Sequence, residues 1–319
     1  MTSGPQAPEQ QSGAVLEKAT RENFPVAPFF LPPDMRAGLM AVYGFARLVD
    51  DAGDGDLPDP GGTARLLGVE PGPDTVEHRL ALLDALEAET DRAFATALRR
   101  PGAEAPRHPL LAALVPAIER HGLTPEPFRG LIEANRVDQR TDRYQTFDDL
   151  LGYCELSANP VGRLVLQLAG LATPERIAWS DAICSALQVI EHLQDVAEDR
   201  ARGRIYLPQQ DLKRFGVAES ELDEPRAGTA LRGLVFFESQ RARALLDQGA
   251  PLLSSVHGRL RLLLTGFSAG GYAQLDAIEA AGYDVLAASP KAGKGLLARQ
   301  AATGLWRAAR QPSRSRGRR

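Results

Sequence analysis

Along most of the chain the apolar positions return every three or four residues, the period of a helix with one buried face. No stretch alternates with the period of two that a strand requires. Over residues 35–49 the apolar set is Leu39, Val42, Tyr43, Ala46 and Val49, and Pro32-Pro33-Asp34 forms the entrance. Further helices are expected from near Val15 and over 76–98, 108–120, 127–140, 147–172, 174–200, 229–249 and 252–278, with a short turn at 211–215. Pro160 should kink the helix over 147–172, because proline lacks an N–H and crowds the preceding turn. Gly266, Gly270 and Gly271 weaken the expectation over 252–278. Residues 55–74, rich in Gly, Pro and Asp, read as a loop or a variable insertion, and the polar residues 1–14 as a disordered lead-in. The pattern predicts an all-α protein, with about eight or more helices around one core and no internal repeat.

At 319 residues the chain can bury a sizeable core, in one large domain or two smaller ones. Composition adds little, since 44% hydrophobic and 24% charged residues are ordinary for a globular protein. No apolar run reaches the roughly 18 residues of a membrane span. Residues 1–11 lack the basic and apolar regions of a secretory signal, and Cys154 and Cys184 form neither a metal spacing nor a disulfide framework. A reduced, cytoplasmic setting is expected. Charge does change the picture. The net charge is −4, yet residues 291–319 hold nine Lys or Arg and no acid, which leaves the body strongly acidic. Such a body argues against nucleic-acid binding. Residues 295–307 read either as a basic amphipathic helix touching an anionic membrane surface or as a frayed, solvated terminus.

Two acidic segments carry the chemistry. Asp50 and Asp54 stand four residues apart in the first, and Glu191, Asp195 and Asp199 repeat that spacing in the second. On a helix such positions stack on one face, roughly 40° apart around the axis. Like charges there repel by a few tenths of a kcal/mol per pair, roughly, and Asp54 also sits near the negative end of its helix dipole. A cation would reverse the sign. Mg²⁺ suits the donors, because it takes one or two carboxylates and completes its octahedron with water and phosphate oxygens. The bland alternatives are an acidic loop after a helix for the first segment and a solvated helix face for the second. Arg200, Arg202 and Arg204 follow the second segment at once, a combination that suits a diphosphate. Mg²⁺ bridging two acidic helices would stabilise departing diphosphate, and the carbocation left behind needs a dry, apolar pocket. No Ser/His/Asp or Cys/His arrangement competes, and His192 reads as a supporting or packing residue.

These residues resemble a family. Gln188-Val-Ile-Glu191-His-Leu-Gln-Asp195-Val-Ala-Glu-Asp199, with Arg200-Ala-Arg-Gly-Arg204-Ile-Tyr206-Leu-Pro208, is similar to the second signature of squalene and phytoene synthases. Tyr43-Gly-Phe-Ala-Arg47-Leu-Val-Asp50-Asp51-Ala-Gly-Asp54 resembles their first aspartate-rich motif, and Tyr153-Cys154-Glu-Leu-Ser-Ala158-Asn159-Pro160-Val-Gly162-Arg163 their intervening helix. Leu275-Asp276-Ala-Ile-Glu-Ala-Ala-Gly282-Tyr283 is similar to their C-terminal segment. Glu22-Asn23-Phe24-Pro25-Val26-Ala27 and Ser157-Ala158-Asn159-Pro160 are most like the hopanoid-pathway branch. Where condensing members usually carry Ser-(Ser/Lys)-Ser-Phe the chain has Glu22-Asn23-Phe24, and Glu191 replaces the usual Asn or Asp of the second motif.

The resemblance implies a single-domain, isoprenoid-synthase-type helical bundle around a central apolar cavity over residues 15–288, followed by a basic tail at 289–319. It implies a Mg²⁺-dependent enzyme that ionises presqualene diphosphate, a prenyl diphosphate, and quenches the rearranged carbocation with water to give hydroxysqualene. By resemblance Asp50, Asp54, Glu191, Asp195 and Asp199 hold Mg²⁺, and Arg47, Arg204 and Lys291 meet diphosphate. Tyr43, Phe24, Gln188, Tyr153 and Asn159 line the pocket. Asn159 either orients the water or packs at the Pro160 kink. The alternatives are a head-to-head condensing synthase and a non-catalytic relative that binds a prenyl lipid. The expected partners beyond the substrate are neighbouring pathway enzymes and, through the tail, the inner face of the membrane.

Overall fold

The computed structural model describes residues 27–293, 295–297 and 299–303, so the helix expected near Val15, the lead-in at 1–14 and Phe24 lie outside the described residues. Two compact units are present. One comprises the described residues up to Arg140 together with Arg163–Ala172; the other comprises Thr141–Gly162 and the described residues from Thr173 onward.

In the first unit, α1 (Pro33–Asp54) starts with proline at its first position and stops at Gly55, whose φ of 78° is left-handed and whose N–H donates to Asp51 O. The helix runs past the end of its apolar periodicity, so Asp50 and Asp54 are helical rather than part of a trailing loop. The stretch expected as a loop contains α2 (Pro60–Leu67). Asp59 caps it by accepting from Gly62 N at 2.8 Å, a local bond that outweighs a Gly- and Pro-rich composition. Helix α3 (Val76–Ala97) follows the Thr75 cap. The helix expected over 108–120 is instead two short ones, α4 (Pro109–Ala112) and α5 (Val115–His121), the second with proline in its first turn. Helix α6 (Pro125–Asp138) packs against α1 and α3. Its buried Phe128 meets the Phe45 and Phe94 rings edge-on, at 5.0 and 5.6 Å between centroids, the arrangement that ring quadrupoles favour.

The second unit begins with α7 (Phe147–Ser157), held by a capping box between Thr146 and Asp149. The chain breaks at Ala158, just ahead of Pro160, and resumes as α8 (Asn159–Leu168), which is divided between the units after Gly162. The helix expected over 174–200 is α9 (Pro174–Gln194) and α10 (Val196–Ala201), with Asp195 at the junction. Then come α11 (Gln209–Phe215), a 3₁₀ turn (Glu219–Asp223), α12 (Thr229–Gly249), α13 (Pro251–Ser255) and α14 (Gly258–Ala280).

Helices α9 and α12 form the main pairing, and Gly249 lets them approach. A Cβ there would stand 2.6 Å from Trp179 O and 2.4 Å from Ile183 Cγ1. Gly271 likewise faces Leu187 and Leu246, so a glycine that weakened the helical expectation is a contact point inside α14. Among the described residues no strand forms, and an isolated bridge joins Arg143 to Ile205. The described tail residues 295–297 and 299–303 are helical.

Candidate active site

In the first unit the motif is a stripe on α1: Tyr43, Arg47, Asp50 and Asp54 follow at steps of four, three and four, all on one helix face. Asp51, on the neighbouring face, is 1% exposed and takes the Arg47 guanidinium at 2.8 Å, a pairing that fixes the arginine. Asp50 is supported from α6, where Asn135 Nδ2 donates to its Oδ1 at 3.0 Å and to Leu131 O at 3.2 Å. Gln139 Nε2 donates to Gly53 O at 2.9 Å and to Asn135 O at 3.1 Å, locking the end of α1 to α6. Gly53 leaves room for this support, since a Cβ would fall 2.1 Å from Asn135 Oδ1 and displace it.

The Asp50 side chain is open to solvent, yet desolvation by the surrounding protein pushes its carboxyl up to about 6 from 3.8. The Asn135 hydrogen bond opposes the rise and the neighbouring Asp54 adds to it. Asn135 and Gln139 were not legible as site residues, because a partner some 85 positions away leaves no local spacing.

In the second unit, Gln188 and Glu191 lie on α9, Asp195 joins α9 to α10, and Asp199 lies on α10. The break changes the expected continuous helix less than its name suggests. Asp195 N still donates to Glu191 O at 3.0 Å and Asp199 N to Asp195 O at 2.7 Å, so the four-residue backbone ladder continues through the acids. Burial raises the Asp195 carboxyl, Asp199 and Glu198 raise it further, and Ser289 and His192 pull the other way. Ser289 Oγ donates to Asp195 Oδ1 at 3.4 Å.

The arginines after the motif divide. Arg200 is taken by Asp223, at 2.8 and 2.9 Å, and Arg202 by Glu198 at 3.0 Å. Arg204 is half-buried in a recess shared with His192, Asp199 and Tyr206. There His192 stacks on Tyr206 at 3.6 Å and 11°, its Nε2 lies 3.2 Å from Gln188 Nε2, and its Nδ1 lies 3.8 Å from Asp199 Oδ2. Tyr153 and Tyr144 extend the ring cluster, each within 5.9 Å of Tyr206. His192 is therefore held against the Tyr206 ring and beside Asp199, and Tyr144 joins a ring cluster that the spacing did not reveal.

Asn159 is buried at the α7–α8 break, and its Oδ1 accepts from Ser185 Oγ at 3.0 Å. Lys291 is exposed just after Pro290, whose carbonyl accepts from Gln194 Nε2 at 2.8 Å. The structure thus gathers Tyr43, Arg47, Asp50 and Asp54 in one unit. Tyr153, Asn159, Gln188, Glu191, Asp195, Asp199, Arg204 and Lys291 belong to the other, and Phe24 lies outside the described residues.

The acids fit Mg²⁺ by donor chemistry, offering hard carboxylate oxygens, and burial disfavours the charged form of Asp50 and Asp195. Among the described residues no group of three or more His, Cys, Asp or Glu side chains is gathered for a metal. Mg²⁺ takes one or two carboxylates and fills the rest of its octahedron with water and phosphate oxygens, so such a group is not a condition of the fit.

A sequence profile of the squalene/phytoene synthase family matches residues 18–306. The hydroxysqualene synthase of Zymomonas mobilis is 31% identical over 243 residues, covering 75% of this chain and 72% of that protein. The 15-cis-phytoene synthase of Synechococcus elongatus is 30% identical over 239 residues, covering 71% and 70%. Among solved structures, the squalene synthase HpnC of Alicyclobacillus acidocaldarius superposes with a TM-score of 0.71 at 39% identity, over 86% of this chain and 95% of that one.

Proposed function

The chain belongs to the squalene/phytoene synthase family of prenyl-diphosphate enzymes, with their all-α fold, and on that footing we propose that it converts presqualene diphosphate to hydroxysqualene. The observation that carries the proposal is the pair of acidic motifs, each with a carboxyl raised by burial and by its own neighbours, in a chain with a hydroxysqualene synthase among its relatives. Asp50 and Asp54 in the first motif and Glu191, Asp195 and Asp199 in the second are the residues that would hold Mg²⁺. When bound, the metal supplies positive charge against the departing diphosphate.

The chain's own residues do the rest. Arg47, fixed by Asp51, in the first unit and Arg204 and Lys291 in the second are the cations that, on the resemblance, would meet diphosphate oxygens. The C–O bond breaks with its electron pair going to diphosphate, the cyclopropylcarbinyl cation rearranges, and a water oxygen closes on the carbon with release of one proton. On the family resemblance, Tyr43 in the first unit and Tyr153 and Gln188 in the second would face hydrocarbon and exclude bulk water. Asn159 orients the attacking water through its amide donors, its oxygen being engaged by Ser185. Packing at the Ala158 break is the competing role for this side chain. Asn159→Leu should divert product from alcohol to hydrocarbon with little change in substrate consumption, and an unchanged product ratio would assign the residue to packing.

The second reading, a head-to-head condensing synthase, is favoured by the phytoene synthase relative. Purified protein given either farnesyl diphosphate or presqualene diphosphate, with Mg²⁺ and no nicotinamide, separates the two by product.

A further inference from the structure

Two glutamines far apart in sequence hold one short piece of backbone. Gln274, on α14, makes a two-point contact with residues 290–292: its Nε2 donates to Pro290 O, and its Oε1 accepts from Ala292 N at 3.1 Å. Gln194, the last residue of α9, donates from Nε2 to the same Pro290 carbonyl at 2.8 Å. Pro290 is buried while Lys291 beside it is exposed. Ser289, one residue before, donates to Asp195 Oδ1 at 3.4 Å. The backbone on both sides of Lys291 is thus pinned at the end of α9, one residue from an acid of the second motif.

The exposed Lys291 side chain adds no burial of its own to order this backbone, so the glutamine hydrogen bonds on either side of it do that. The amide groups of Gln274 close a small ring of hydrogen bonds around Lys291 that does not involve the ammonium group. They therefore fix where the lysine stem starts without neutralising its charge. A flexible four-carbon side chain loses less freedom on meeting an anion when its backbone is already placed.

We infer that Gln274 and Gln194 are positioning residues that clasp the 290–292 backbone, so that Lys291 is presented to the diphosphate end of the substrate. The inference deepens the proposed function and rests on its assignment of Lys291 to diphosphate. The clasp acts through the placement of Lys291 and touches no reacting atom itself. Its loss should weaken binding of substrate and of the free anion alike.

Three measurements on the full chain test it. Gln274→Met keeps the length and volume of the side chain and removes both hydrogen bonds. Relative to wild type it should speed tryptic cleavage after Lys291 at least tenfold in native protein, because the pinned backbone is released. It should weaken calorimetric binding of inorganic pyrophosphate with Mg²⁺ about tenfold, and Lys291→Ala should do the same. The double variant should bind no more weakly than Lys291→Ala alone. Gln194→Met, tested in parallel, should shift both readouts in the same direction and guards against a folding defect peculiar to Gln274→Met.

Unchanged cleavage and unchanged pyrophosphate binding in both glutamine variants would overturn the clasp, as would additive losses in the double variant. If Lys291→Ala binds pyrophosphate as wild type does, the inference falls with that lysine's assignment. Conversion of presqualene diphosphate by the wild-type protein would still stand as the separate test of the proposed function.

Discussion

Asp50 shows what the first motif costs the bare protein. Its carboxyl is raised from 3.8 to about 6, with desolvation as the main cause. Between those values the folded state keeps a proton that the unfolded state has released. Stability therefore falls as pH rises through this window, and the penalty is complete above it. Asp50→Asn should stabilise the metal-free protein at pH 7.5 by about 1 kcal/mol, after discounting for the solvent that reaches the side chain, and should give no such gain near pH 4. Urea denaturation at the two pH values checks this; equal destabilisation at both would contradict it. Gly53→Ala acts on the same support from the other side. The added methyl displaces Asn135, so a loss of about 1–3 kcal/mol is expected in thermal or urea unfolding. The carboxylates themselves were legible because their four-residue spacing is local. Asn135 and Gln139 were not, because their roles exist only once α6 lies on α1.

Contacts between elements carry the second unit. Arg241 on α12 reaches Asp211 on α11 at 2.6 Å and Glu238 on its own helix at 3.0 Å, while its guanidinium lies over the Phe147 and Phe237 rings at 4.6 and 4.3 Å. Both acids are buried. Burial pushes Glu238 up to about 7 from 4.5, Arg241 pulls it down, and Asp211 adds to the rise. Arg241→Met would strand two buried carboxyls, and a loss of about 3–5 kcal/mol is expected at pH 8. The loss should be smaller at pH 5, where Glu238 is protonated in the folded state. An equal loss at both pH values in chemical denaturation would show that packing on the two rings is what matters.

Element existence was mostly legible from periodicity, and breaks were legible only where proline announced them. The split after Ala158 sits beside Pro160, as its missing N–H requires. The junction at Asp195 has no proline, no glycine and an unbroken apolar pattern around it, so nothing local marked it. Helix α2 was hidden for the opposite reason: composition suggested a loop, while the Asp59 cap made a helix. Arg200 and Arg202 looked available for diphosphate in sequence, but carboxylates brought close by folding claim them, and Arg204 remains in the recess with Asp199 and His192.

For the whole molecule, no helix among the described residues is long and apolar enough to cross a membrane, and the family assignment places the chain among prenyl-diphosphate enzymes. Metal should couple to both stability and turnover. On the proposed metal role, Mg²⁺ at saturating concentration should raise the melting temperature, as a ligand of the folded state does, and chelation should abolish turnover. Asp195→Asn should lose both effects while retaining the helical circular-dichroism spectrum.

The most direct test of the central claim is product analysis after incubation of the purified chain with presqualene diphosphate, Mg²⁺ and no nicotinamide. Hydroxysqualene, with one diphosphate released per molecule formed, is the predicted result. Formation of presqualene diphosphate or phytoene from farnesyl or geranylgeranyl diphosphate in a parallel incubation, with presqualene diphosphate left unconverted to the alcohol, would contradict it.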